Sequence, residues 1–207
     1  MAVCFMGKRI GVMGGTVDPI HHGHLVLSEQ VRTEYDLDKI IFVPAGIPPH
    51  KMELSISNNI HRYFMTVLAT INNENFMVSD IEVGSDKVSY TLNTLQNLRR
   101  LYGKEVQIFF ITGADAILDI ESWKDTVELL STFSFIAGTR PGHKTKDLEQ
   151  KISTLKQKYK TKIHLLEVPA LSISSTEIRS RVKAGKSIKY LIPNEVEQYI
   201  YKNRLYK

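Results

Sequence analysis

Gly11-Val12-Met13-Gly14-Gly15-Thr16-Val17-Asp18-Pro19-Ile20-His21-His22-Gly23-His24 sets glycines, a hydroxyl and paired imidazoles between an apolar run and an amphipathic one. Lys8 to Met13 is short and partly apolar, as a first buried strand is. From His24 to Tyr35, the residues Leu27, Val31 and Tyr35 recur on one helical face. The quoted residues therefore predict a strand-to-helix loop. Gly14 and Gly15 let main-chain N–H groups approach an anion closely, and a helix starting near Gly23 aims its positive end at the same place. His21 and His24 add directional donors. The glycine spacing fits neither G-x-G-x-x-G nor G-x-x-x-x-G-K-[ST]. Taken alone, the stretch is equally well read as a Gly- and Pro-rich turn whose histidines cap the next helix.

Outward from this loop, short apolar runs recur at Ile10–Met13, Lys39–Val43, Phe76–Ile81, Val106–Ile111, Phe133–Ala137 and Ile163–Val168. Helical patterns fall between most of them, at His24–Tyr35, Ile60–Ile71, Thr91–Tyr102, Thr126–Leu130, Asp147–Tyr159, Thr176–Lys183 and Asn194–Lys202. Such alternation predicts an α/β fold, a Rossmann-like, doubly wound, mainly parallel sheet with helices on both faces. Ligands of such sheets collect outside the carboxyl ends of the strands, where strand order reverses, and the exit of the first strand suits that place. No internal repeat or clear linker is present; residues 1–207 are expected to form one domain, with a helical C-terminal part from about Ser174.

A chain of 207 residues is long enough to bury roughly 70% of its unfolded surface without staples. The single Cys4 cannot form an internal disulfide, no apolar run approaches the ~20 residues of a membrane helix, and Met1 to Ile10 lacks the apolar core of a signal peptide. The expectation is a cytoplasmic protein without membrane partners. The formal net charge of +5 is unevenly spread, being basic from Arg140 onward and acidic before it. Much of the basic excess lies in Lys146–Lys162, where Leu148, Ile152, Leu155 and Tyr159 form an apolar stripe, so the lysines read as a solvated face. With no basic aromatic platform alongside, nucleic acid is not expected as a partner.

A second anion candidate is Ile173-Ser174-Ser175-Thr176-Glu177-Ile178-Arg179, after a strand and before a helix. Ser174 with Glu177 satisfies a capping box, and exposed N–H groups, hydroxyls and the Arg179 fork at the same helix start suit a phosphate; the two readings are compatible. Four further stretches are noteworthy: Val43-Pro44-Ala45-Gly46-Ile47-Pro48-Pro49-His50-Lys51, Ser89-Tyr90-Thr91, Ile111-Thr112-Gly113-Ala114-Asp115-Ala116 and Ser122-Trp123-Lys124. By residue type alone, Lys51 is an exposed lysine or a phosphate clamp. Tyr90 and Thr91 are a strand end and an N-cap or a ligand contact, and Asp115 is a helix cap or a substrate contact. Trp123 is a core residue or a stacking platform.

The Gly-Gly-Thr and Asp-Pro-Ile-His-His-Gly-His segments resemble the nucleotidyltransferase superfamily that carries a (H/T)-x-G-H motif, and I-S-S-T-x-I-R is similar to the second part of its ATP-binding pair. The further stretches narrow the resemblance to the bacterial type of nicotinate mononucleotide adenylyltransferase, almost from end to end of the chain. Val17 departs from the phenylalanine expected there. The resemblance implies adenylyl transfer from ATP to nicotinate mononucleotide. It assigns Gly14, Gly15, Thr16, His21, His24, Ser174, Ser175, Thr176 and Arg179 to ATP, with His21, His24 and Arg179 catalytic. Lys51, Thr91, Asp115 and Trp123 go to the mononucleotide, with Trp123 against the pyridine ring. Mg²⁺ is expected to ride on the triphosphate with no assigned protein ligand, and a homo-oligomer is possible. The alternatives are another member of the superfamily, such as phosphopantetheine adenylyltransferase or a cytidylyltransferase, or a non-catalytic nucleotide- or nucleic-acid-binding protein.

Overall fold

The structure is a computed structural model that describes residues 8–49, 56–84, 87–139, 146–169 and 172–207. All six expected strands form: β1 (Arg9–Gly15), β2 (Lys39–Pro44), β3 (Phe76–Val78), β4 (Gln107–Gly113), β5 (Ser134–Thr139) and β6 (Lys162–Glu167). They make one sheet in the order β3-β2-β1-β4-β5-β6. This order reverses after β1, as in doubly wound α/β folds. The pairs β1–β4, β4–β5 and β5–β6 are parallel, with Val12 opposite Phe110 and Ile111 opposite Ile136. Parallel strands covered on both sides read as continuous apolar runs. Ile10, Val12, Ile40, Ile41, Phe42, Ile111, Phe135 and Ile136 are accordingly buried without residue.

The helices are α1 (His22–Glu34), α2 (Asn59–Thr70), α3 (Thr91–Tyr102), α4 (Ala114–Leu118), α5 (Thr126–Thr132), α6 (Lys146–Tyr159), α7 (Ser175–Lys183) and α8 (Asn194–Lys202), with a 3-10 turn at Ile120–Ser122. Two expectations change. β3 stops at Val78 instead of Ile81, because after one more main-chain bond, from Ser79 N–H to the Phe42 carbonyl, the chain turns at Asp80. Helix α4, with only five residues, is too short to leave a periodic signal. On α6, Leu148, Ile152 and Leu155 are buried and Lys156 and Lys158 exposed, the solvated face expected of its lysines. Among the described residues no helix is long and apolar enough to cross a membrane.

The contacts divide the chain into two compact units. The first takes Met1–Gly14, Leu27–Ile40 and Tyr90–Ala170; the second takes Gly15–Val26, Ile41–Ser89 and Leu171–Lys207. In the first, Gly138 of β5 lies so close to the Leu27 side chain that a β-carbon there would overlap it. Tyr35 packs edge-on against His164, with ring centroids 5.4 Å apart. In the second, α2 packs on α8, where His61 Nδ1 meets the Tyr199 hydroxyl at 2.9 Å.

Candidate active site

The second unit holds the first anion motif from Gly15 onward and the whole of the second. The first loop leaves β1 at Gly15, whose φ of 150° suits glycine while no atom crowds it, so backbone conformation is what requires glycine here. Val17 follows at φ 43°, 5% exposed. A β-branched residue there is strained, at a cost of order 1–3 kcal/mol that the surroundings must hold in place. The smaller side chain that stands in place of the expected phenylalanine is thus buried.

Two contacts tie this loop to the start of α7, and two more order that helix start itself. Ser174 is the N-cap, its Oγ accepting from Glu177 N–H at 3.2 Å. The Ser175 hydroxyl donates to the Pro19 carbonyl at 2.9 Å. Arg179 donates through Nη1 to the Asp18 carbonyl at 2.7 Å and through Nη2 to Thr176 Oγ1 at 3.2 Å. The Ser174 half of the capping box is therefore formed, while Glu177 Oε1 accepts from Arg181 Nε at 2.8 Å, and Ser175 and Arg179 reach the first loop.

Helix α1 opens at His22, one residue before the expected Gly23. His21 is 7% exposed, and its ring centroid is 3.8 Å from that of His24. Burial, reinforced by His24 and His22, pushes the pKa of His21 down to about 2, so the ring is neutral. Its Nδ1 is buried without a partner and lies where a β-carbon on Gly23 would come within 2.9 Å. Glycine in H-x-G-H is thus the space that the first imidazole occupies. His24 Nδ1 accepts from the His21 main-chain N–H at 3.3 Å, which leaves Nε2 as the donor nitrogen of that ring.

Sequence reasoning passed over three residues behind this loop. Arg62 of α2, 1% exposed, donates to the carbonyls of Ser57 (2.9 Å), Thr16 (2.9 Å) and Gly46 (2.8 Å). Asp18, 2% exposed, accepts from Ser57 N–H at 3.1 Å and from the Tyr206 hydroxyl at 2.6 Å. Burial and the Asp18 carboxylate raise the Tyr206 phenol well above its ordinary range. A signal for Arg62 does exist, since it shares the buried face of α2 with Met65, Thr66 and Thr70. A cation on an apolar stripe must find partners. Gly46 itself is pressed against the Glu82 carbonyl, 2.5 Å from where a β-carbon would stand.

The first unit carries Gly14, Thr91, Asp115 and Trp123. A β-carbon on Gly14 would come 2.9 Å from Phe110. Tyr90, not Thr91, is the N-cap of α3, and Thr91 is its first residue. Asp115 does not cap α4; it lies in the helix's first turn behind Gly113, where its charge favours the positive end. Trp123 is half-buried, edge-on to Phe110 with centroids 6.1 Å apart, while Lys124 Nζ sits 4.3 Å from the centre of the Tyr90 ring. The 3-10 turn before Trp123 is anchored by Glu121, which pairs with Lys151 (2.6 Å), Lys158 (2.8 Å) and the Tyr159 hydroxyl (2.8 Å). Those hydrogen bonds pull the Glu121 carboxyl down to about 2. Lys51 lies outside the described residues.

The comparisons agree with this geometry. A family model described as cytidylyltransferase-like matches residues 12–181. A relative from Thermoanaerobacter sp. (strain X514), named "Probable nicotinate-nucleotide adenylyltransferase", is 50% identical over 199 residues, 96% of this chain and 94% of its own. One of the same name from Moorella thermoacetica is 53% identical over 199 residues, 96% of this chain and 92% of its own. Among solved structures, the Plasmodium falciparum nicotinic acid mononucleotide adenylyltransferase complexed with NaAD is similar with a TM-score of 0.78 and 26% identity, covering 96% of this chain and 97% of that one. An H-x-G-H turn whose glycine houses a histidine, a family model matching most of the chain, and relatives matched over nearly their whole length together make this chain a member of the cytidylyltransferase-like family, in its nicotinate-nucleotide adenylyltransferase branch.

Proposed function

We propose that the chain transfers the adenylyl group of ATP to nicotinate mononucleotide, forming nicotinate adenine dinucleotide and pyrophosphate, the dinucleotide-forming step of NAD synthesis. The observation that carries this reading is the bonding of the second anion motif to the first loop, Arg179 and Ser175 of α7 donating to the carbonyls of Asp18 and Pro19. The relatives' names supply the substrate class.

A phosphate oxygen of the mononucleotide attacks the α-phosphorus of ATP, and the bond to pyrophosphate breaks. A phosphate monoester with a second pKa near 6 is already largely dianionic at neutral pH, so the nucleophile needs no strong base. Catalysis then rests on positioning and on charge stabilisation. His21, kept neutral by burial, offers an N–H dipole in place of a full charge. His24 offers its Nε2–H, and Arg179 is the permanent cation. The Gly14–Gly15 backbone, Thr16, Ser174, Ser175 and Thr176 complete the ATP side. Lys51, Thr91, Asp115 and Trp123 serve the mononucleotide, Trp123 by stacking on the pyridine ring.

Among the described residues, no three His, Cys, Asp or Glu side chains gather as a metal cluster. The donors of the second unit are imidazoles, hydroxyls and a guanidinium, which suit phosphate oxygens. Mg²⁺, bound to the triphosphate itself, supplies charge neutralisation there. The deciding experiment is a substrate panel. Pyrophosphate release is measured with ATP or CTP against nicotinate mononucleotide, nicotinamide mononucleotide and phosphopantetheine. ATP with nicotinate mononucleotide is expected to give the highest kcat/KM; a higher value for CTP or phosphopantetheine rejects the substrate assignment.

A further inference from the structure

We infer that Arg62, seconded by the Asp18–Tyr206 pair, is a positioning residue that sets the distance between the first loop and the loop after β2. Its three hydrogen bonds go to main-chain carbonyls of three separate segments, Thr16, Gly46 and Ser57, and its side chain is sealed from solvent. A planar fork with fixed donor directions specifies the relative placement of three acceptors in a way that a lysine ammonium does not. The acceptors are informative. Thr16 precedes Val17, a β-branched residue at φ 43°, so the turn it belongs to is strained there and needs outside support. Gly46 is held at its other side too, its N–H donating to Ser89 Oγ at 2.9 Å and Glu82 Oε2 at 3.1 Å.

Asp18 adds a second set of bonds to the same turn, through Ser57 N–H and the Tyr206 hydroxyl. Residues 16 and 18 are thus pinned from behind, on carbonyl and carboxylate, while the Asp18 carbonyl takes Arg179. None of this asks Arg62 to touch a substrate. It acts through the main chain that leads to His21.

The inference rests on the adenylyl-transfer reading, and two readouts separate them. Arg62→Lys keeps the charge and most of the volume, yet reaches fewer carbonyls. It is expected to lower kcat about 10- to 100-fold, as misplacement of about an ångström does, while both KM values move less than threefold. Amide hydrogen exchange is expected to rise at residues 15–21 and 45–49. Tyr206→Phe, which removes one hydroxyl and keeps the ring, is expected to lower kcat about 3- to 10-fold with the same KM pattern, and it decides the matter should Arg62→Lys not fold. Wild-type kcat in the folded variant overturns the inference. So does unchanged exchange in the two loops, whatever the substrate. Wild-type protein that releases no pyrophosphate from ATP and nicotinate mononucleotide overturns the functional reading instead, and the exchange comparison still judges Arg62.

Discussion

A β-carbon on Gly23 would stand 2.9 Å from Nδ1 of His21 and 3.0 Å from its Cε1. The imidazole and the absent side chain therefore compete for one volume, and the glycine of H-x-G-H acts by letting the ring lie against the first turn of α1. Gly23→Ala should improve the helix by about 0.5–1 kcal/mol in propensity and displace His21. The expected result is a melting temperature equal to or above wild type with kcat lowered at least about tenfold, seen by thermal unfolding and steady-state kinetics on one preparation. Wild-type turnover in this variant rejects the packing account.

His21 makes stability depend on pH. Its folded pKa is about 2, against about 6.5 unfolded, so below pH 6.5 the unfolded chain binds a proton that the folded one does not. Stability is full above pH 6.5 and falls as the pH drops toward 2, by up to about 1.4 kcal/mol per pH unit. Urea unfolding at pH 7 and pH 5 should show wild type losing about 2 kcal/mol more than His21→Gln. Equal losses in the two proteins exclude this titration.

Arg179 spends two of its nitrogens on the Asp18 carbonyl and Thr176 Oγ1. A lysine can replace the charge but not both bonds. Arg179→Lys is expected to lower kcat/KM for ATP about 10- to 100-fold, the worth of one lost charged hydrogen bond, and Arg179→Ala to lower it further. Identical values in all three proteins reduce α7 to a well-capped helix.

Trp123 is half-buried against Phe110, so it combines packing with an available ring face. Trp123→Ala should raise KM for nicotinate and nicotinamide mononucleotides alike, about tenfold for one lost stack, and leave their ratio intact, because stacking follows the ring and not its substituent. Parallel kcat/KM values test this. A collapsed ratio means that Trp123 also reads the acid group.

The repeating elements were legible because each strand and long helix carries its own periodic signal. Leu148, Ile152 and Leu155 announce α6, and the apolar Ile40–Val43 run announces β2. The two anion motifs were legible for the same local reason, since a loop and a capping box lie within a few residues. What escaped was long-range pairing. Arg62 reads as one polar residue of an amphipathic helix until the carbonyls of Thr16 and Gly46 arrive from elsewhere in the chain. Asp115 illustrates a local ambiguity: residue type left it a cap or a substrate contact, and Gly113 takes the cap position because β4 runs directly into α4.

Tyr206 closes on Asp18 across a sequence separation of 188 residues. At a ribosomal pace of about 5–20 residues per second, the first loop is made roughly 10–40 s before the hydroxyl that completes its support. During that interval the Asp18 carboxylate has only water to accept from in place of the phenol, and Arg179 has yet to be translated for most of it. The first of the two motifs to be synthesised is thus the last to acquire its full set of bonds, and a nascent polypeptide halted before α8 holds the sequence of the first loop without its finished geometry.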